Sequence, residues 1–68
     1  MERGDVRKMV RRIETDFFRT GDEDRAHRAE DSLYRLVMLA IAEGHHDAEG
    51  LAAECLASAA IDFERFYS

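Results

Sequence analysis

The sequence predicts an all-α domain, an antiparallel three-helix bundle closed by a short C-terminal turn, and three observations predict it. Proline is absent and glycine occurs only four times in 68 residues, so breaks are few and the segments between them are long. Apolar residues recur at helical spacing within those segments. The breaks are tight, and tight connections make sequential helices antiparallel neighbours, up-down-up. At this length residues 1–68 form one domain with a marginal core, and such domains usually gain support from a disulfide, a metal or a partner subunit.

The first helix is expected over about residues 4–20. Val6, Met9, Val10, Ile13 and Phe17 form one stripe of its wheel, and Gly21 suits the left-handed residue that ends it. Asp22 then offers an N-cap, with Glu23 and Asp24 in the next first turn, where the helix dipole favours negative charge. The second helix, about 23–43, begins amphipathic through Ala26, Ala29, Leu33 and Leu36. It becomes apolar nearly all round in "LVMLAIA", so it needs cover on more than one side and is the central helix. The third, about 48–60, places Leu51, Ala52, Cys55, Leu56 and Ala59 on one broad face. Ile61 falls off that face, so a separate turn over 62–67 is expected, capped by Asp62, with Phe63, Phe66 and Tyr67 folding back on the core.

Between the second and third helices lies "EGHHD". Gly44 fits the end of one helix and Asp47 the N-cap of the next, which makes His45 and His46 loop punctuation. A metal reading would join them to Asp47 and Cys55. Zinc wants three or four ligands, adjacent histidines rarely converge on one ion, and Cys55 lies on the expected inward face, so no metal and no cofactor are expected.

Other chemistry-bearing groups receive similar readings. Asp24-x-x-His27, with Glu23 and Glu30 near it, has the carboxylate–histidine spacing of di-iron bundles, but those draw ligands from several helices, and the expectation is a solvated charged turn. Cys55 has no His or Lys beside it on the helix to lower its pKa and reads as a small core residue. Phosphate-cradling glycine loops are absent, and three short helices offer little cleft, so no enzyme is expected. The single cysteine excludes an internal disulfide. The N-terminus is charged throughout, and the longest apolar run, Leu36 to Ala42, is far too short to cross a bilayer, so the chain is expected to be soluble and cytoplasmic.

Charge is unevenly spread. Residues 1–19 carry six basic and four acidic side chains, whereas residues 20–68 carry four basic and eleven acidic ones. On the wheel Arg7, Lys8, Arg11, Arg12 and Arg19 fall opposite the core stripe with Phe18 among them, and arginine and aromatic residues are enriched at interface centres. With the apolar surplus at Met38 and Leu39, this makes Arg7, Arg11, Arg12, Phe18, Arg19, Met38 and Leu39 the candidate protein-binding residues. A helix-turn-helix reading fails on charge, because the third helix would present Glu49, Glu54, Asp62 and Glu64 to phosphates.

"AIAEGHHDAEGLAAECL" followed by "IDFERFYS" resembles the C-terminal half of small helical proteins from actinobacteria and their phages, which carry "AxGHxDxxxLAxxAL" and then "IDFxRW". Phe66 stands where that pattern has tryptophan. The resemblance covers about half the chain and implies a phage or mobile-element accessory protein that works by binding another protein; no residue role comes with it.

The expected function is therefore a non-catalytic protein–protein interaction module, with a partner that is a second copy or another protein and with a homodimer as the expected state. The alternative is a small nucleic-acid-associated regulator using the Arg-rich first helix, which the net charge of −5 disfavours. No membrane partner is expected.

Overall fold

The structure is a computed structural model that describes residues 1–60. Three helices follow in order: α1 over Arg3–Thr20, α2 over Glu23–Ala42 and α3 over Ala48–Leu56, the last tightening into a 3₁₀ turn over Ala57–Ala60. All three helices pack against one another as an all-α three-helix bundle. Arg3 meets Asp47 and Arg7 meets Glu54, so α1 and α3 run the same way, with α2 antiparallel to both. The expected turn over 62–67, and the placements of Ile61, Phe63, Phe66 and Tyr67, lie outside the described residues.

Each connection has a backbone reason. Gly21 sits at φ 67°, and its N–H donates to the Phe17 carbonyl at 2.7 Å, the single bond of a left-handed helix ending. Asp22 accepts from the Arg25 N–H through its carboxylate and caps α2. At the far end Gly44, at φ 84°, donates to the Ile41 carbonyl and His45 donates to the Ala40 carbonyl, the two bonds of a Schellman motif. Asp47 occupies the N-cap position of α3 without a side-chain capping hydrogen bond, and its carboxylate is engaged by Arg3.

The buried core comprises Val6 and Ile13 from α1, Ala26, Leu33 and Val37 from α2, and Leu51 and Cys55 from α3. Met9, Val10, Phe17 and Ala29 pack partly buried around it, as the helical stripes predict.

Three expectations need correction. Helix 3 keeps α geometry only to Leu56. In the 3₁₀ turn residues i and i+3 eclipse, so Ser58 falls beneath Cys55 and is buried while Ala59, expected inside, is exposed. Leu56 is also exposed, because it lies more than 100° around the helix from Leu51. Leu36, counted in the inward stripe of α2, is exposed, and the inward position N-terminal to Leu33 belongs instead to Glu30.

Candidate functional site

The outward C-terminal half of α2 carries the most distinctive surface. "LVMLAIA" is apolar at every position, and a helix buried along one stripe must leave the rest uncovered. Leu36 is 46% exposed, Met38 67% and Leu39 57%. Toward α3 the surface continues into an open groove of about 350 Å³ lined by Tyr34, Val37, Met38, Ile41, Cys55 and Leu56, a lining that is almost wholly apolar. Leu56, 66% exposed on the opposite rim, extends the patch onto a second helix. Met38 and Leu39, singled out by the sequence, are on this surface; Leu56 joins them, although the wheel of α3 predicts it in the core.

The expected basic face of α1 is divided. Arg7 does not stand clear of the bundle; its guanidinium forks onto the Glu54 carboxylate of α3, with N···O distances of 2.7 and 3.1 Å. Arg19 bonds Asp16 at 2.8 Å, and Asp16 also takes Arg25 from α2 at 2.8 Å. Lys8, Arg11 and Arg12 remain exposed, flanking a shallow surface with Thr15, Asp16 and Arg19. Phe18 is 69% exposed, its ring centroid 6.1 Å from that of Phe17 and the two rings tilted by 46°. The sequence placed Arg11, Arg12, Phe18 and Arg19 on the outer surface, and there they are. Arg7 belongs to an interhelical clamp, since its neighbour depends on how α3 is rotated against α1.

A second Arg fork completes that clamp: Arg3 holds Asp47 at 2.6 and 3.1 Å. Hydrogen bonds from the two guanidinium groups hold the Asp47 and Glu54 carboxyls below their usual range and raise both arginines in turn. The pairs are largely solvent-exposed, so they orient the helices more than they stabilise them.

Inside the bundle lies a polar group the sequence reading placed in a solvated turn. Glu30 is fully buried, because Ala26, Glu30, Leu33 and Val37 share one stripe of α2. Ser58 donates its hydroxyl hydrogen to Glu30 Oε2 at 2.7 Å, which leaves Ser58 Oγ to accept from Tyr34 Oη at 3.1 Å. The chain of donors runs Tyr34 to Ser58 to Glu30. Desolvation raises the pKa of Cys55, beside this network, and the Glu30 charge raises it further, so its thiol stays protonated at neutral pH. The spacing that marks Glu30 was legible; its charge concealed it.

The loop histidines do more than separate helices. Glu2, His45 and His46 converge, with ligand atoms within 4.8 Å of one another, which adjacent histidines alone were not expected to achieve. Their rings stack at 4.5 Å, and His46 Nε2 lies 3.6 Å from the Glu2 carboxylate. Both nitrogens of His45 are engaged: Nδ1 accepts from the Asp47 N–H at 2.9 Å and Nε2 donates to the Met1 carbonyl at 2.5 Å. Ligation of an ion through His45 would displace one of these bonds, so the arrangement acts first as a fastening of the chain's start to the α2–α3 loop.

Among the described residues no helix is long and apolar enough to cross a membrane. No protein-family model, curated protein or solved structure matches this chain.

Proposed function

We propose that this chain is a non-catalytic protein-binding module whose docking surface is the outward C-terminal half of α2 with the adjoining α2–α3 groove. The observation that carries the reading is the exposure of Leu36, Met38 and Leu39 on the outer half of α2, with Leu56 across the apolar groove from Met38. Contiguous apolar surface rimmed by polar residues is the signature of a protein interaction site. Support for a non-catalytic role comes from Cys55, whose buried, protonated thiol is a poor nucleophile. The basic surface of α1 has a weaker case as a nucleic-acid contact. Arg7 and Arg19 are neutralised by Glu54 and Asp16, and the chain as a whole is acidic. On the resemblance of its C-terminal half, we take the module to be a phage or mobile-element accessory protein, acting on another protein or on itself.

The test compares partner capture by the wild-type chain and by Leu39→Asp, with Arg11→Glu/Arg12→Glu as a second variant. Loss with Leu39→Asp and retention with the arginine variant is expected. The reverse pattern, or a salt-sensitive nucleic acid in the captured material, transfers the function to α1 and overturns the reading.

A further inference from the structure

The apolar patch on α2 also carries charges whose order selects a partner. Arg35, Leu39 and Glu43 are spaced by four residues, so they lie along one ridge of the helix surface, with Leu36 and Ala42 beside them. All five are exposed. Neither Arg35 nor Glu43 forms an ion pair among the described residues, although Arg3, Arg7, Arg19, Arg25 and Arg28 all do. The ridge thus reads positive, apolar, negative, with Leu39 at its midpoint.

That order is self-complementary under one operation. A two-fold axis through Leu39, perpendicular to α2, superposes the ridge antiparallel on that of a second copy. Leu39 then meets the partner subunit's Leu39, Arg35 meets the partner subunit's Glu43, and Glu43 meets the partner subunit's Arg35. Leu36 falls opposite the partner subunit's Ala42, a large side chain against a small one. A parallel arrangement fails, since it sets like charges against each other at both ends. A shift by one helical turn unpairs one charge and buries the other against leucine. Isologous contacts of this kind are the commonest in homo-oligomers because the same patch serves both subunits.

We infer that the chain forms a two-fold symmetric homodimer through antiparallel α2–α2 packing centred on Leu39, locked in register by two Arg35–Glu43 pairs. This rests on the reading of α2 as a docking surface and names its occupant as a second copy. Phe18, Arg11 and Arg19 lie on α1 and take no part in the contact.

Three measurements on the full chain test it. Light scattering at high micromolar concentration should give twice the 7.8 kDa chain mass. Arg35→Glu and Glu43→Arg should each weaken the dimer by roughly tenfold or more, since each replaces two attractions with two repulsions. An equimolar mixture of the two variants should associate again, because each supplies the charge the other lacks, and a fold defect cannot produce that rescue. In a Cys55→Ala background, Leu39→Cys should oxidise to a disulfide-linked dimer while Leu36→Cys does not, because only residue 39 lies on the axis. A dimer indifferent to both charge variants, or crosslinking at Leu36 in preference to Leu39, overturns the arrangement. A monomeric wild type overturns self-association altogether; capture of another protein that Leu39→Asp abolishes would then still uphold α2 as the docking surface.

Discussion

Along α2 the inward face buries a carboxylate, Glu30, among Ala26, Leu33 and Val37, while the outward face leaves Leu36, Met38 and Leu39 in contact with water. The first departs from the rule that charged residues stay outside, the second from the rule that large apolar ones go in. The first has its compensation inside the bundle. Glu30 is met by Ser58, itself held by Tyr34, so the carboxylate ties α2 to the 3₁₀ turn in one orientation. The outward leucines find no such cover within the described chain. What the pair of faces teaches is that departures from simple burial are meaningful in different ways: one fixes the packing of the bundle on itself, the other leaves a surface suited to something else.

Leucine on the two faces separates these roles most sharply. Leu33→Ala, which empties a core site, should cost about 2–5 kcal/mol, enough to unfold much of so small a bundle. In dilute solution Leu39→Ala should change stability by less than about 0.5 kcal/mol, since the residue is exposed. Urea denaturation at low protein concentration measures both, and equal losses would show that Leu39 is covered within the single chain.

The buried network predicts a graded series of smaller effects. Ser58→Ala removes the donor to the Glu30 carboxylate and should cost about 1.5–3 kcal/mol, the range for a hydrogen bond to a charged group. Tyr34→Phe removes only the donor behind it and should cost about 0.5–1.5 kcal/mol. If the order of these two is reversed in thermal or urea melts, the direction of the donor chain given above is wrong.

The smallest effect belongs to the Arg forks between α1 and α3. Their partners, Asp47 and Glu54, have carboxyls lowered below their ordinary values of 3.8 and 4.5 by hydrogen bonds from Arg3 and Arg7. A lowered carboxyl contributes stability that is present above its ordinary value and is lost as pH falls through its folded value. As pH falls below 4.5 and then 3.8 the wild type should therefore lose melting temperature more steeply than Arg3→Ala/Arg7→Ala, which has less to lose. The difference should be modest because the pairs are exposed, and parallel curves would show that the forks contribute nothing to stability.

Much of this bundle is legible in the sequence, and the gaps have physical causes. Helix ends at Gly21 and Gly44 follow from residues that alone tolerate positive φ cheaply, and both sit there. The caps are less uniform: Asp22 acts as its position suggests, whereas Asp47 is claimed by an arginine 44 residues away, which no local pattern encodes. The exposure of Met38 and Leu39 follows from counting apolar positions against the faces available to cover them. A wheel for one helix puts Arg7 on the open face because it carries no information on the rotation of its neighbour. Glu30 and Ser58 escape the sequence for one shared reason. A charged residue on a core stripe is readable as buried only once its hydroxyl donor is in view, and that donor turns inward only because α3 tightens to 3₁₀ after Leu56.

The two Arg forks also bear on the order in which the bundle assembles. They join residues separated by 44 and 47 positions, whereas α1 and α2 are linked by Gly21 and Asp22 alone. Closing a short connection costs less chain entropy than closing a long one, so pairing of sequential helices across the short α1–α2 and α2–α3 links is cheaper than the direct α1–α3 contacts the forks make. Contacts made late are absent from the transition state, so interactions such as Arg3–Asp47 slow unfolding without hastening folding. The forks, Arg3–Asp47 at the helix starts and Arg7–Glu54 further along, are thus a light latch on the finished bundle: what little they contribute goes into how long it stays closed.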